Sequence, residues 1–475
     1  MFTTRNILLP CMMAVLLCCS AASAATADTL RVGTARVDIT PASDPANPPT
    51  GKYAHEKLYV RAILLDNGTT RAALIGADQG MLPDAIWAPA SKQIAAELNC
   101  PVENIVMSAT HTHSGWGPGA SPFGSGQPRV PGGFQAADPN QPQPPIVGQI
   151  VDAVRQAKAK LRPASIGFGT GFSYLNVSRD NIDAETHRWT QAPNLNGASD
   201  KTVAVLKFSA PDGELIAVYF TYAMHPVNGF LGGFISADFA GAASRYIEQA
   251  YGDKVVAVFA QNASGDQNPL YLRAGTNAMA SRSGVKITGN VMTREQVEAP
   301  LRDGKVTAVP IDPQVRDNLE RVMDAEGLLL GEEVIRVITN TSRMDPSPRI
   351  WAAQNTATCP GRKRLDNARE GTPGSYEDGD PVHMRLGVLR IGNVALASVN
   401  AEIYTPIEQR LKERSPLADT MMVTLANGAA NSGYVPDDAS FGAYTFQVLG
   451  SRLKPGCAEN AIVGGFLDMI QASEK

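Results

Sequence analysis

The feature that most constrains this chain is a short apolar segment that runs into two histidines. Ile105, Val106 and Met107 form a continuous apolar run, which is typical of a strand buried on both faces. His111 and His113 follow, before a stretch rich in glycine and proline that must turn. Residues two apart in a strand point to the same side, so both imidazoles are predicted to face one pocket.

Two histidines at this spacing suggest a metal site. Imidazole is a common zinc ligand, and catalytic zinc sites use about three protein ligands plus water. On the residues alone, His111 and His113 are both candidate ligands. The alternative is a polar loop in which the two histidines are simply solvated.

Composition and the N-terminus indicate an exported globular protein. The chain has 475 residues, of which 44% are hydrophobic and 19% charged, and its net charge of −4 gives no reason to expect a nucleic-acid partner. Residues 1–24 are predicted to be a cleaved signal peptide, because Arg5 precedes an apolar run that ends before Ala22-Ser23-Ala24. The alternative is a retained membrane anchor. No later stretch is long and apolar enough to span a bilayer, so we expect a secreted or periplasmic protein without stable membrane insertion.

Three cysteines lie beyond the predicted signal peptide, at Cys100, Cys359 and Cys457. Export exposes them to an oxidising compartment. Cys359 and Cys457 both lie in loop-like sequence with proline and glycine, which favours a disulfide between them. Three cysteines allow three pairings, and the sequence alone does not choose.

The order of predicted elements indicates an α/β fold with mixed β-sheets sandwiched by helices. Apolar runs predict strands at 30–39, 58–66, 71–76, 165–177, 202–208, 215–223, 255–259 and 421–425, two strands within 385–399, and a strand from 105 that carries the two histidines at its end. Helical spacing predicts helices at 84–98, 146–161, 239–251 and 318–338. Asn67-Gly68 is a strong hairpin signal. Residues 339–380 are predicted to be irregular, and residues 115–145 a loop that covers a pocket or, alternatively, a solvated insert.

Polar clusters follow five of the predicted strands. They are His111 with His113, His225, the segment 262–266, Glu402 and Tyr434. In α/β folds, sites form at the carboxyl ends of strands, so these clusters are predicted to converge there. His55, His187 and His383 lie in polar stretches and are predicted to be surface residues.

This ordered set resembles the neutral/alkaline ceramidase family of zinc amidases, which cleave the N-acyl bond of ceramide. The matching pieces are Asp38-Ile-Thr-Pro41, Thr110-His-Thr-His-Ser-Gly115, Asn176-Val-Ser-Arg179, His225, Phe259-Ala-Gln-Asn-Ala-Ser-Gly-Asp266, Glu402 and Gly433-Tyr-Val435. The histidine motif is the most specific of them. The others persuade through their order, which runs from about residue 29 to the C-terminus.

The resemblance implies a residue set for the site. By position, Zn²⁺ would be held by four residues: His111, His225, Glu402 and Tyr434. His113 would line the pocket without ligating the metal and could move a proton between water and the leaving amine. Arg179 stands where the family has an arginine that faces the substrate, and its alternative is a surface salt bridge. Family members are secreted or membrane-associated. Because they cleave the N-acyl bond of ceramide, the implied partner is a small-molecule or lipid N-acyl substrate.

The chain departs from the family pattern at three places. Asn262 occupies the position of a family serine proposed to act in catalysis, which favours zinc-activated water over a covalent serine mechanism. Ala429-Ala430-Asn431 replaces a tyrosine-rich run. The expected domain organisation is one ceramidase-like catalytic domain at 25–475 without a C-terminal immunoglobulin-like domain, so the substrate is either ceramide or a smaller or more polar N-acyl amide.

We therefore expect an exported zinc-dependent amidase with His113, Arg179 and Asn262 near the reacting groups. One alternative is a serine hydrolase that uses Ser264 with a histidine and Asp266, although no G-x-S-x-G motif supports it. Another is a non-catalytic lipid- or glycan-binding relative, motivated by the missing serine.

Overall fold

A computed structural model of the protein describes residues 29–41, 57–115, 144–230, 235–284, 311–367 and 370–475, together with Met1 and Val309. The predicted signal peptide lies outside these ranges except for Met1, and so does most of the predicted covering loop at 115–145.

The described chain contains both strands and helices. The strands are β1 (Arg31–Asp38), β2 (Tyr59–Asp66), β3 (Arg71–Ala77), β4 (Ile105–Ala109), β5 (Arg162–Pro163), β6 (Ser165–Phe172), β7 (Asn176–Ile182), β8 (Trp189–Asn194), β9 (Thr202–Ser209), β10 (Leu215–Tyr222), β11 (Val256–Gln261), β12 (Gln267–Pro269), β13 (Ile350–Arg364), β14 (Tyr376–Ile391), β15 (Val394–Val399), β16 (Glu402–Ile403), β17 (Asp419–Val423) and β18 (Tyr434–Val435). The α-helices are α1 (Asp84–Leu98), α2 (Pro145–Ala159), α3 (Asp238–Ala250), α4 (Arg273–Arg282), α5 (Pro313–Asn340), α6 (Thr405–Arg414), α7 (Phe446–Gly450) and α8 (Ala458–Ala472).

Most strands of the first sheet are apolar because both faces of the sheet are covered. Its order is β4-β3-β2-β1-β5, with β3 and β4 parallel and the other pairs antiparallel. Alternate residues of β2 face opposite sides: Ile63 and Leu65 enter the central core, whereas Ala62 and Leu64 pack under α1 and α2. Strands β2, β3 and β4 are almost entirely buried between the two layers and read as continuous apolar runs, whereas β1 is exposed at both of its ends.

Two further sheets pack with the first around the central core. Their orders are β11-β10-β9-β6 and β13-β14-β15-β17, and both are mixed, with parallel pairs β10–β11 and β15–β17. Helices α3 and α5 cover the outer face of one sheet, and α6 and α8 cover that of the other. The predicted class, mixed sheets sandwiched by helices, is confirmed.

One regional prediction is wrong. Residues 339–380, predicted to be irregular, contain β13 and the start of β14. Pro360 and Gly361 disguise the strand, but β13 lies at the edge of its sheet and its ladder is bulged there, where proline is tolerated. The Cys359–Cys457 disulfide that the sequence favours is present, and the Cys100 thiol is free.

Helices α4, α6, α7 and α8 were also absent from the sequence prediction. Of the helices in the described ranges, none combines the length and hydropathy needed to cross a membrane.

Candidate metal centre

The carboxyl ends of strands from all three large sheets are joined by backbone hydrogen bonds. At the end of β4, the Ala109 N–H donates to Leu425 O, just after β17, at 3.3 Å. Thr424 N donates to Gln261 O at the end of β11 at 2.8 Å. These bonds bring the loops after β4, β10, β11 and β17 to one edge, as the sequence predicts for a site.

The first histidine leaves its strand in a sharp turn. Strand β4 ends at Ala109, so the expectation that it continues through both histidines is wrong. His111 has φ +67°, in the left-handed region that non-glycine residues seldom occupy. The His111 N–H donates to Gln79 O at 2.9 Å and its Nδ1 lies 2.7 Å from Gly80 O. The turn therefore fixes the ring as well as the backbone.

His225 faces His111 from the loop after β10. Its Nδ1 lies 3.0 Å from Gln267 O, and its Nε2 lies 3.1 Å from Nε2 of His111. A carbonyl oxygen only accepts hydrogen bonds, so each Nδ1 carries a hydrogen and each neutral ring presents a lone pair at Nε2. Two lone pairs at this distance repel unless a cation or a proton lies between them.

Glu402 and Tyr434 reach the same place through a two-residue parallel ladder. β16 and β18 pair Glu402 directly with Tyr434, so their side chains lie on one side. The Glu402 carboxylate places Oε1 at 3.5 Å from Nε2 of His111 and Oε2 at 3.5 Å from Nε2 of His225. A carboxylate and two imidazole nitrogens thus converge.

The electrostatics favour the forms that bind metal. Burial and the nearby Arg179 guanidinium lower the pKa of His225 to about 3, so its ring is neutral. Burial alone would raise the pKa of Glu402, but positive charge at His111 and hydrogen bonds from His111 and His225 hold it well below its ordinary value. Burial and the Glu402 carboxylate raise the pKa of the Tyr434 phenol. A carbonyl that orients the outer nitrogen of each ring is typical of metal-bound histidine, and the set fits a divalent cation.

His113 lies beside this group and is half-buried. Its Nε2 is 3.4 Å from Nε2 of His111, and its N–H donates to Pro226 O at 3.2 Å. Ligand atoms of the three histidines all lie within 4.8 Å of one another. The geometry therefore accommodates both accounts of His113, a third nitrogen ligand or a base beside the metal.

Arg179 is buried, which rules out the surface salt bridge. The guanidinium donates from Nη2 to Gly265 O at 2.6 Å and from Nη1 to Asn268 Oδ1 at 3.4 Å. It lies 5.4 Å from the centroid of the Tyr434 ring and 5.1 Å from that of Phe446. Stacking between two rings holds the cation beside the metal centre.

Asn262 is placed differently from the other predicted residues. Its amide donates to Glu408 Oε1 at 2.8 Å, and its oxygen accepts from the Ala263 N–H at 2.7 Å. Ser264 Oγ accepts from Gln261 Nε2, and Asp266 accepts from the Thr405 N–H. Within the described part of the chain, none of these bonds joins Asn262 or Ser264 to a histidine, so the geometry gives the serine-hydrolase alternative no support.

Sequence reasoning missed two aromatic residues of the site. Phe230 packs edge-on against His113, with ring centroids 5.2 Å apart. Phe446 packs against both Arg179 and Tyr434. Neither residue lies in a motif, and only their tertiary contacts reveal them. His187 and His383 are exposed, as predicted, and His55 lies outside the described residues.

The family model of the neutral/alkaline non-lysosomal ceramidase N-terminal region matches residues 44–305, more than half of the chain. The chain belongs to this family. The match includes His111, His113, Arg179 and His225, whereas Glu402 and the paired tyrosine lie beyond it and join the site through the fold.

Individual relatives agree with this assignment. The neutral ceramidase of Pseudomonas aeruginosa is 27% identical over 230 residues, which cover 47% of this chain and 33% of that protein. The match thus spans about a third of that relative's length. The crystal structure of neutral ceramidase from Pseudomonas aeruginosa shares the fold, with a TM-score of 0.64 and 18% identity over 94% of this chain and 74% of that one. A structure described as ceramidase complexed with C2 matches with a TM-score of 0.64 and 17% identity, covering 94% of this chain and 75% of that one.

Proposed function

We propose that this protein is an exported zinc-dependent hydrolase that cleaves the N-acyl amide bond of ceramide or a ceramide-like substrate. The observation that carries the proposal is the 3.1 Å approach of the Nε2 atoms of His111 and His225, with the Glu402 carboxylate 3.5 Å from each. Two ring nitrogens and a carboxylate that converge in this way need positive charge between them, and a divalent cation supplies it to all three. Family membership supplies the reaction class.

In this proposal His111, His225, Glu402 and Tyr434 hold the zinc ion. Both rings are oriented by carbonyl oxygens, and the Glu402 carboxyl remains ionised, as ligands must. A zinc ion held there would supply Lewis acidity, which lowers the pKa of water and polarises an amide carbonyl. Burial and the Glu402 carboxylate raise the pKa of the Tyr434 phenol, and a phenol that keeps its proton is also a donor for negative charge that develops on the carbonyl oxygen.

His113 is the proposed proton carrier. It is half-buried beside the proposed ligands, and the Phe230 ring packs against it. An imidazole titrates near neutral pH and can take a proton from water and deliver it to the leaving amine. A His113→Ala variant that keeps its zinc but loses hydrolysis supports this role. Loss of zinc would make His113 a ligand instead.

Arg179 is proposed to contact the substrate. Among the described residues, its Nε has no hydrogen-bond partner, although the rest of the guanidinium is well anchored. Burial lowers the pKa of Arg179, but Tyr434, Asp180 and Glu402 raise it above its ordinary value, so the side chain stays charged. A fixed cation with an unused donor suits the polar head of an N-acyl lipid.

The experiment that tests the function is a zinc determination on the purified protein, paired with a screen of N-acyl substrates. We expect about one zinc per chain. Hydrolysis should stop on chelation and return with zinc. A protein without stoichiometric metal would overturn the proposal. Stoichiometric zinc without hydrolysis of any N-acyl substrate would favour the non-catalytic alternative.

A further inference from the structure

The loop at 225–230 contacts the metal centre at both of its ends. His225 begins the loop, and Phe230 ends it with its ring against that of His113, at 5.2 Å between centroids and an interplanar angle of 86°. Between them, Pro226 O accepts the His113 N–H. Whatever fixes this loop therefore fixes two histidines at once.

The middle of the loop is held by a completely buried amide. Asn228 donates from Nδ2 to Asp238 Oδ1 at 3.0 Å and to Glu326 Oε2 at 2.6 Å. Asp238 also accepts the Gly229 N–H at 3.0 Å and the Phe239 N–H at 2.7 Å. Two carboxyl groups on the same nitrogen fix the orientation of the amide, because a flipped amide would turn its oxygen towards them. We call Asn228, Asp238 and Glu326 the Asn228 bridge.

Close helix packing brings the three side chains of the Asn228 bridge together. Gly327 has space only for a hydrogen, since a Cβ there would lie 2.3 Å from Ala242 Cβ on α3. Gly275 of α4 is similarly restricted, since a Cβ there would lie 2.7 Å from the backbone oxygen of Asn228. The loop is thus held among α3, α4 and α5, and Asp238, at the start of α3, adopts φ +56° to reach it. A left-handed aspartate costs free energy and persists where the surroundings demand it.

The charge state of the Asn228 bridge is consistent with a single anion. Burial, together with the Asp238 carboxylate, raises the pKa of Glu326 well above its ordinary value. Burial also raises the pKa of Asp238, but four hydrogen bonds stabilise its ionised form. Among the described residues, Glu326 Oε1 and Asn228 Oδ1 have no hydrogen-bond partner, and both are acceptors. A proton on Glu326 removes its repulsion with the Asp238 carboxylate.

We propose that the Asn228 bridge is a positioning device that sets the 225–230 loop and so holds His225 and His113 in place for metal binding and proton transfer. No atom of the Asn228 bridge needs to touch substrate or metal for this role. The catalytic part of the proposal rests on the proposed function. The positioning part is visible in zinc affinity and in the histidine rings themselves.

The test compares Asn228→Ala with Asn104→Ala and Glu326→Gln. Asn104 is a matched control, because its buried amide also makes a tertiary hydrogen bond, to Arg71 O at 2.7 Å. It directly precedes β4, at the opposite end of that strand from the histidines. The measurements are zinc affinity by chelator competition, kcat and KM separately on an N-acyl substrate, the ring-proton NMR signals of the histidines in zinc-free protein, and Tm.

For Asn228→Ala we expect zinc affinity and kcat to fall by roughly 10- to 100-fold, the range seen when residues that orient ligands are lost. KM should stay nearly constant, and the ring signals of His225 and His113 should move. Glu326→Gln keeps an oxygen acceptor for the Asn228 amide and should retain the zinc affinity and kcat of wild type. Asn104→Ala should lower Tm without changing zinc affinity.

Each contrary outcome has a separate meaning. If Asn228→Ala lowers Tm but leaves zinc affinity, kcat and the ring signals unchanged, the positioning role is wrong and the Asn228 bridge is only structural. If wild-type protein neither binds zinc nor hydrolyses any N-acyl amide, the proposed function is wrong. Even then, ring signals that do not move in Asn228→Ala would overturn the positioning role by themselves.

Discussion

Nε2 of His111 and Nε2 of His225 lie 3.1 Å apart although the residues are separated by 114 positions in the chain. Each ring is fixed from behind by a backbone carbonyl, Gly80 O for one and Gln267 O for the other. The orientation of both rings is therefore fixed before a metal binds. A preformed site of this kind loses little side-chain entropy on binding, which favours high affinity.

Replacing either histidine should remove the metal. For His111→Ala and His225→Ala we expect zinc affinity to fall by more than about 100-fold, beyond the effect of losing an orienting residue, and hydrolysis to fall with it. Metal analysis after gel filtration and a chelator competition give the values. His383→Ala is the control, because that histidine is exposed on β14. Full activity in either ligand variant would contradict the assignment.

The disulfide should stabilise the fold without contributing to the site. Cys359 and Cys457 enclose a separation of 98 residues and join β13 to the start of α8. Removing a disulfide of this kind costs about 2–4 kcal/mol of unfolding free energy. The double variant with both cysteines changed to alanine should show a lower Tm and unchanged zinc content, whereas Cys100→Ala should match wild type. Equal Tm values for all three proteins would be the contrary result.

Local sequence signals predicted much of the fold. The apolar run of β4 and the Asn67-Gly68 turn between β2 and β3 each depend on residues adjacent in the chain. The edge strand β13 was missed because its partly exposed, proline-containing sequence gains its structure from β14. Tertiary pairing overrides local preference at such positions.

The sequence predicted which loops meet at the site, but not the detailed arrangement of the side chains there. Polar clusters after successive strands indicated one edge of the sheets, and the histidine motif indicated a metal. The left-handed turn at His111 was not visible, because a strand pattern places alternate residues on one side without any turn. Contacts of Phe230 and Phe446 with the site join segments that no local pattern connects.

Stability should depend on pH through Asp266. Burial raises the pKa of its carboxyl from an ordinary value of 3.8 to about 7, despite a hydrogen bond from the Thr405 N–H. A raised pKa in the folded state means that this group's stabilising contribution is complete below about pH 4 and is lost as the pH rises through about 7. The stability of wild type relative to Asp266→Asn should therefore decline over this window, by at most a few kcal/mol.

Urea unfolding at pH 5 and pH 8 measures the effect at Asp266. Asp468→Asn serves as the control, since that aspartate is exposed on α8. Its difference from wild type in unfolding free energy should be the same at pH 5 and pH 8. A difference between wild type and Asp266→Asn that does not change with pH would show that Asp266 does not titrate in this window.

Arg179→Lys should separate geometry from charge. Lysine keeps the cation but lacks the planar fork that donates to Gly265 O and Asn268 Oδ1 between two rings. Hydrogen bonds to charged groups contribute about 1.5–3 kcal/mol, so kcat/KM should fall by roughly 10- to 100-fold with zinc content unchanged. Arg336→Lys, on the exposed face of α5, should have no effect. An unaltered kcat/KM in Arg179→Lys would remove the residue from substrate recognition.

Tyr434→Phe isolates the phenol from its ring. The aromatic contacts with Arg179 and Phe446 remain in this variant, so Tm should stay close to that of wild type. Tyr434 pairs in register with Glu402 and the pKa of its phenol is raised, so we expect loss of the phenol to lower kcat by about 100-fold or more, as when a donor to a developing oxyanion is removed. Zinc affinity should fall less than in His225→Ala, because two imidazoles and a carboxylate remain. Tyr174→Phe, at an exposed tyrosine, controls for the substitution itself. Wild-type kcat in Tyr434→Phe would leave the ring as a packing group alone and reduce the proposed zinc ligands to His111, His225 and Glu402.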